Sequence, residues 1–426
     1  MTARRVAVIG GGWAGISAAI ETILLGAQVS LFEMAPQLGG RARSVDIGGL
    51  PLDNGQHILI GAYVETLRMM RIVGVDVDAA FLRTPLKLLD ATGHGLRLPN
   101  GHPVLAFAQG VLRQRSWPFA HRMALLAAAC GWALGGFRCN ETSTVAELVR
   151  GLPSSVRDEL IDPLCVAALN TPAHSASGTV FLRVIRDALF SGRGSADLLL
   201  PRQRLSELLP RPANRWLIQQ GAQVRGGVRV ERIDAAGVSW KVNGETFDAV
   251  ILASSAAEAA RLTGSIKPAW AAKAAALGYE PIVTVYAQSE GTRLPSPMLT
   301  LPSDEHSRPA QFVFDHGQLG GRDGLLAFVI SGAAPWIVMG AEATRDATLK
   351  QGQSVLSSHL KTPLRHLRSL TEKRATFRCV PGLDRPQSLI APGLVAAGDY
   401  IAGPYPATLE GSIRCAVESA RVAVTA

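Results

Sequence analysis

Cysteine is scarce and scattered. Cys130, Cys139, Cys165, Cys379 and Cys415 form no CxxC pair and no zinc-like spacing. That argues against a disulfide framework and a cysteine-built metal centre, so we expect no metal and reduced thiols in a cytoplasmic setting. Long hydrophobic runs are missing too. The longest one free of charge, Met123–Phe137, has 15 residues, whereas a membrane-spanning helix needs roughly 20. A β-branched run follows Arg4-Arg5 directly, so no cleavable leader is expected. Tandem repeats and low-complexity tracts are absent. Acid is missing from one stretch: between Ala91 and Asn140 there is no Asp or Glu, while Arg97, Arg113, Arg115, Arg122 and Arg138 all fall there.

The formal net charge of +9 favours an anionic partner. In the acid-free stretch the arginines flank apolar residues and Trp117, Phe119, Trp132 and Phe137. Nucleic-acid surfaces interleave basic with polar residues, so no nucleic acid is expected. Basic and aromatic residues around an apolar face suit an interfacial helix, although a helical subdomain with surface arginines has the same composition. The expectation is a cytoplasmic protein, peripheral on the inner membrane face. With 47% apolar and 18% charged residues, the 426-residue chain can bury a sizeable core and has length for two domains.

The informative residues begin at the N-terminus. Positions 6–33 read VAVIGGGWAGISAAIETILLGAQVSLFE. The run Val6–Ile9 leads into Gly10-x-Gly12-x-x-Gly15. A helical pattern continues through Ile16, Ala19, Ile20, Ile23 and Leu24 to Gly26, and a second strand, Gln28–Phe32, ends on Glu33. This is a βαβ dinucleotide unit. Gly10 permits the tight turn, Gly12 lets the backbone approach a pyrophosphate, and Gly15 lets helix and strand pack closely. Trp13 and Ala14 lie inside the fingerprint, at a helix N-terminus whose N–H groups suit phosphate. Glu33, 23 residues after Gly10, is placed to accept hydrogen bonds from both ribose hydroxyls. It would repel a 2′-phosphate, which argues against NADP. No second fingerprint and no CxxxxC pair follows. The chain is therefore not read as a pyridine-nucleotide disulfide reductase, and its electrons must pass to or from an external partner.

Next comes PQLGGRARS, residues 36–44. The pattern resembles the extension found in the flavoprotein superfamily of amine oxidases and phytoene desaturases. The resemblance implies FAD, with Arg41 and Arg43 reaching the pyrophosphate and flavin edge and Gly39 and Gly40 passing under the ring system. Two arginines on a glycine loop also suit a bound diphosphate on their own chemistry. It recurs in GAQVRGGVRVERID (221–234) and FDAVILASS (247–255). There it implies a strand around Val230 laid against the adenine and another ending near Ala253. A third match is GDYIAGPYPATLEGS, 398–412. It implies that Gly398-Asp399 takes a ribityl hydroxyl and that the helix opening at Glu410, Gly411 and Ser412 points its N–H groups at the flavin. A helix N-terminus stabilises the negative charge of a reduced flavin.

Three further stretches are more specific: GGGWAG itself, LPLDNGQHILIGAYVETLRMMRIVG (50–74) and LIDPLCVAALNTPAHSASGTVFLRVIRDALFSGRGSADLLLP (160–201). With YEPIVTVY (279–286) and GPYPATLEGS, they look like the squalene-associated FAD-dependent desaturases. The established activity in that family is hydroxysqualene dehydroxylation in hopanoid synthesis. The implied substrate is a C30 isoprenoid alcohol, which needs a hydride donor, a proton for the departing water and a dry cavity. An oxidative isoprenoid desaturase of the carotenoid type would use the same cofactor in the opposite direction. A non-catalytic prenyl-lipid carrier of the same fold is the reading from another class, and the complete cofactor motifs argue against it.

Candidates for the acid are Asp53, His57, Glu280 and Tyr405. Asp53 could instead anchor its loop through backbone N–H groups, and His57, which titrates near neutrality when free, could be a satisfied interior histidine. Glu280 precedes a proline, so it is extended, facing the cavity or capping it. Tyr405 could line the cavity or touch the cofactor. Asp162 and Asn170 flank an apolar segment, where helix-start and surface roles compete with chemistry. Lys267 and Lys273 do not sit where amine oxidases hold a flavin-contacting lysine, and FRCVPGL around Cys379 does not match a covalent flavin attachment motif.

The expected fold is α/β, with a discontinuous Rossmann-type FAD-binding domain (1–82, 198–266 and 366–426). An inserted α+β substrate domain (83–197 and 267–365) carries possible membrane-docking helices. Within it, Val180, Val184 and Ala188 and also Phe181, Ile185 and Leu189 repeat every four residues, predicting a helix up to Gly192. PIVTVYAQ and LLAFVIS read as strands of an antiparallel sheet.

Overall fold

The computed structural model describes residues 3–304 and 306–425. Its opening elements are β1 (Arg5–Ile9), α1 (Trp13–Leu24) and β2 (Gln28–Glu33). Four later strands join them: β3 (Gln223–Gly226), β4 (Ala249–Leu252), β5 (Leu389–Ala391) and β6 (Leu394–Ala396). The sheet order is β3-β2-β1-β4-β6-β5, parallel throughout except at the β5/β6 edge. Such a sheet is covered on both faces, which is why β1 and β4 are continuous apolar runs rather than alternating ones. One face carries α1 and the closing helix, Leu409–Thr425. Ile16, Ala19 and Ile20 of α1 belong to the same buried core as Ile413, Ala416 and Ala420, and the alanines let the two helices approach closely. The opposite face is covered by a small antiparallel sheet, Ile233–Ala236, Ser239–Val242 and Glu245–Phe247, through Trp240, Val242 and Phe247.

Strand register positions the site. Ile9 pairs with Phe32 on one side and Leu252 on the other, and Leu252 pairs with Ala396. Gly10, Glu33, Ala253 and Gly398 therefore emerge along one carboxyl edge, where chain connections diverge on either side of β1. That is the crevice at which open α/β sheets bind ligands.

The second layer is a five-stranded sheet in the order Met298–Thr300, Phe312–Asp315, Leu325–Ile330, Tyr279–Gln288, Arg365–Phe377. PIVTVYAQ and LLAFVIS pair antiparallel, with Val283 opposite Ile330 and Gln288 opposite Leu325. Arg365–Phe377 lies along Tyr279–Gln288, so residues 366–377 belong to this sheet and not, as the expected boundary had it, to the Rossmann sheet. The reason is local: their partly buried alternation suits an antiparallel edge strand and not a strand buried on both faces. The helix Gly178–Phe190 packs Phe181, Ile185 and Leu189 into a core shared with Tyr286, Phe312 and Phe314, while Val180, Val184 and Ala188 pack half-buried against it. The helices Pro103–Arg113 and Phe119–Leu134 pack onto that core through Ala106, Phe107, Val111, Leu125 and Ala129. No helix among the described residues is long and apolar enough to cross a membrane.

Candidate active site

The glycine loop is shaped by contacts that only glycine tolerates. Gly10 has φ +106°, and a Cβ there would lie 2.6 Å from the Ala253 carbonyl oxygen. A Cβ on Gly15 would lie 1.7 Å from the Gly10 oxygen. Gly12 is extended and caps α1 without any side-chain bond, so the helix N-terminus keeps its donors for a ligand. Glu33 accepts the Gly11 N–H at 2.6 Å and the Ala35 N–H at 2.7 Å. The carboxylate thus fixes the loop with one lone pair per oxygen and retains others for ribose hydroxyls.

The arginine loop lies against this turn. The Gly39 N–H donates to the Gly11 oxygen at 2.8 Å, and a Cβ on Gly40 would lie 3.0 Å from the Gly12 Cα. Trp13 is buried and its indole N–H donates to the Ala42 oxygen at 2.8 Å. Its side chain therefore ties α1 to the arginine loop, with buried Ala14 beside it, and only its backbone faces the turn. Arg41 meets Asp399 at 2.5 Å and donates to the Ala375 oxygen at 2.9 Å. Burial opposes its charge, yet the Asp399 carboxylate holds it protonated beyond the usual arginine range. Arg43 donates to the Gly40 oxygen at 2.6 Å, while its buried Nε has no partner among the described residues. Asn54 clamps both arginines by the backbone, accepting the Arg43 N–H at 3.0 Å and donating to the Arg41 oxygen at 2.5 Å. Asn54 falls within the stretch 50–74, where nothing in the local spacing singles it out.

These residues fit a dinucleotide. The loop has no room for a Cβ at Gly10 or Gly15, the helix N-terminus has no side-chain cap, and the buried Arg43 Nε has no partner among the described residues.

At the far end, three expectations change. Glu410 is fully buried and turned to another helix, α2 (Val64–Ile72). Its oxygens accept the Glu65 N–H at 3.1 Å, the Thr66 N–H at 2.9 Å and the Thr66 hydroxyl at 2.7 Å, and it pairs with Arg414. Its carboxylate caps α2 rather than facing a cofactor. The Gly411 N–H is taken by the Thr408 hydroxyl at 2.9 Å and the Ser412 N–H by the Thr408 carbonyl at 3.1 Å. Gly411 is required sterically, since a Cβ would lie 1.8 Å from the Tyr405 oxygen, and the Ser412 hydroxyl donates to Leu409. Val230 is buried but not in a strand, and its carbonyl accepts Arg261 Nη2 at 2.6 Å. The preceding Gly227, at φ +73°, ends β3 before that point.

The catalytic candidates separate. Asp53 is half-buried; its Oδ1 accepts the Ser44 hydroxyl at 2.7 Å and the Leu205 N–H at 3.1 Å, while Oδ2 has no partner among the described residues. Burial raises its pKa. His57 is pushed down to about 4, first by burial and then by the Arg41 cation. It is neutral at neutral pH, so it is not the imidazolium donor anticipated from its free pKa. Glu280 is 4% exposed and both oxygens are engaged, by Arg378 at 2.8 Å and the Ala334 N–H at 3.1 Å. It joins a strand to the start of a helix, with both oxygens occupied in doing so. Two guanidiniums, Arg183 and Arg414, lie over the Tyr405 ring at 5.2 and 4.9 Å. The two arginines are thus the charged neighbours of that ring.

Tyr286, Gln56 and His316 were missed. The buried Tyr286 hydroxyl donates to the Asp53 carbonyl at 2.8 Å, and the Gln56 amide lies 3.0 Å from that hydroxyl and 3.1 Å from His316 Nε2. Burial pushes Tyr286 up and His316 down to about 4. Asn170, at φ +47°, binds the Glu280 carbonyl and the Gly332 N–H, and Asp162 opens the helix Asp162–Leu169. Both have framework positions. Lys267 caps a helix and Lys273 pairs with Asp384 at 2.6 Å. Burial pushes the Cys379 thiol up to about 12, against a thiolate nucleophile. No His/Cys/Asp/Glu group among the described residues is arranged to hold a metal ion.

Fold and cradle together define a protein of the dinucleotide-binding α/β class. The chain belongs to the flavin containing amine oxidoreductase family, whose profile matches residues 13–424, and it is a flavin-dependent enzyme. Among its relatives are the hydroxysqualene dehydroxylases of Sinorhizobium fredii (26% identical, 99% of each chain), Rhodopseudomonas palustris (26%, 99% of each) and Zymomonas mobilis (24%, 98% of each). A zeta-carotene desaturase of Zea mays is 41% identical, but over 73 residues, or 17% of this chain and 13% of that one. An oxidoreductase structure from Methanosarcina mazei superposes with a TM-score of 0.73 at 17% identity, covering 97% of this chain and 99% of the other, which supports the fold alone.

Proposed function

We propose that the chain binds FAD and removes the allylic hydroxyl of hydroxysqualene, giving squalene. The observation that carries this reading is the extent of the likeness: three hydroxysqualene dehydroxylases align over 98–99% of both chains. The desaturase match stops after 73 residues. Family membership and the glycine, Glu33, Arg41 and Asp399 cradle count against a non-catalytic carrier.

Reduced FAD, when bound, supplies the hydride. The overall change replaces an allylic C–OH by C–H: hydride enters at carbon, the C–O bond breaks, and one proton leaves with oxygen as water. In this reading Glu33 holds the ribose, the α1 N-terminus and Arg43 hold the pyrophosphate, and Asp399 orients the ribityl side with Arg41 as its counter-charge. Asp53 provides the proton, because burial keeps its carboxyl protonated to higher pH and Oδ2 is free. Tyr286 and Gln56 fix the backbone of that loop. The second layer's aliphatic and aromatic core keeps water away. An external donor re-reduces the flavin. The substrate is drawn from the inner membrane face, in keeping with exposed Leu105, Phe119 and Leu134 on the helices Pro103–Arg113 and Phe119–Leu134.

The test is anaerobic. The bound flavin is reduced, hydroxysqualene is added, the return of oxidised-flavin absorbance is followed, and the lipid is extracted. Stoichiometric squalene is expected; a flavin that stays reduced would overturn the reading and turn attention to saturated isoprenoids offered to the oxidised enzyme.

A further inference from the structure

A surface cleft of ≈ 620 Å³ lies between the hairpin formed by Lys87–Leu89 and Gly95–Arg97 and the end of the helix Pro103–Arg113. Lys87, His94, Arg97, Arg113 and Arg115 line it, and no carboxylate does. None of the four permanent cations takes part in an ion pair among the described residues.

Two features show that this concentration of charge is built rather than incidental. Lys87 stands directly opposite Arg97 in the hairpin, and like charges facing each other across a strand pair are destabilising. Gly110 brings the helix onto the hairpin: a Cβ there would lie 2.9 Å from the Arg97 oxygen and 2.7 Å from Leu98 Cδ2. Arg113 follows Gly110 by three positions, hence on the same helix face. Close packing therefore adds a third cation to a pair that already repels. An anion between them would attract all three and offset their mutual repulsion.

The same helix supplies the other half of the argument. Leu105 and Leu112 are 62% and 43% exposed, and Phe119 on the next helix is 64% exposed. Cations that hold a phosphate beside an exposed apolar face match a phospholipid, charged at the head and apolar below it. We propose that the cleft is a headgroup site for an anionic phospholipid, whose phosphate sits among Lys87, Arg97, Arg113 and Arg115 while Leu105, Leu112 and Phe119 enter the acyl boundary. The proposal deepens the membrane-drawn substrate suggested above and rests on that reading for its purpose, though its test does not depend on turnover.

The flavin-loaded chain is co-sedimented with phosphatidylcholine vesicles, with and without phosphatidylglycerol. Each basic residue near an anionic surface strengthens partitioning roughly fivefold. The R97Q/R113Q variant is therefore expected to bind the anionic vesicles roughly 25-fold more weakly. The K241Q/R215Q variant changes net charge equally at exposed positions outside the cleft and is expected to retain most of the binding. Retained flavin absorbance and circular dichroism confirm folding of both. Equal losses in the two variants, or none in the first, overturn the site. Tight calorimetric binding of inorganic diphosphate without any preference for anionic vesicles overturns the lipid and assigns a free phosphate ligand. Turnover of detergent-solubilised hydroxysqualene is read separately. Its absence alongside cleft-dependent vesicle binding would remove the proposed activity and leave the headgroup site standing.

Discussion

The Glu410 carboxylate holds Thr66 twice, its Oε2 accepting the Thr66 N–H at 2.9 Å and the hydroxyl at 2.7 Å. Donor and acceptor are separated by 344 positions in the chain. The first turn of α2 is capped from the closing helix, and a carboxylate beside the N-terminal N–H groups also complements the helix dipole. Arg414 supplies the counter-charge at 2.7 Å. The carboxylate that begins the last helix thus joins the first and last parts of the chain.

Glu410→Ala removes the cap and leaves Arg414 without its partner. Loss of a cap and of charge-assisted hydrogen bonds at a fully buried position is expected to cost roughly 2–4 kcal/mol. Urea unfolding followed by circular dichroism reads this as a lower midpoint. A midpoint equal to that of the parent would contradict the capping role.

The glycine cradle makes a sharper distinction. Gly15→Ala places a Cβ within bonding distance of the Gly10 oxygen, so it is expected to lower stability and to abolish the yellow colour together. Glu33→Arg is expected to remove bound FAD, because it replaces the ribose acceptor by a cation and frees the Gly11 and Ala35 N–H groups. Absorbance of the purified variants and their denaturant midpoints separate the two effects. Full flavin occupancy in Glu33→Arg would sink the assignment of that carboxylate.

Asp53 gives a prediction in which activity and stability diverge. Its carboxyl is shifted upward by burial, so the folded state holds its proton to higher pH than the unfolded chain. The stability linked to that proton is present below the ordinary carboxylate pKa and is lost as pH rises through the folded value. Asp53→Asn keeps an acceptor for Ser44 and Leu205 yet cannot ionise. It is expected to match or exceed the parent's stability at neutral pH, with the difference closing in acid. If Asp53 is the proton donor, turnover falls by roughly 10²–10⁴-fold with flavin binding retained. Unchanged turnover would make Asp53 a loop anchor only.

What the sequence made legible was local. Gly10, Gly12, Gly15 and Glu33 lie within one βαβ unit, and their spacing follows from the turn and helix they build. The strands Tyr279–Gln288 and Leu325–Ile330 were readable because each holds an uncharged, mainly apolar run containing β-branched residues. Interactions between distant segments were not readable: Asn54 under the arginines, Tyr286 and His316 around Gln56, and Glu410 on Thr66. Nothing in the spacing of these residues announces a contact across 230 or 344 positions. His57 misled for the same reason, since its pKa is set by enclosure and by Arg41, neither of which is a property of the local sequence.

His57 and His316 together make the pH dependence of folding predictable. Each is pushed down to about 4, chiefly by burial, while an unfolded imidazole titrates near 6.5. Between those values the unfolded chain binds more protons, so stability rises with pH. The contribution is complete above about pH 6.5 and is lost as pH falls towards about 4. Two protons set an upper slope of roughly 2.7 kcal/mol per pH unit, and partial solvent contact of both rings reduces it. Urea midpoints measured across this range should fall steeply for the parent and less steeply for His57→Gln/His316→Gln. Parallel curves would mean that neither ring is held neutral by the fold. The same enclosure predicts a rate profile without an imidazole inflection near neutrality from His57. An inflection there that disappears in His57→Gln would restore that residue as an acid.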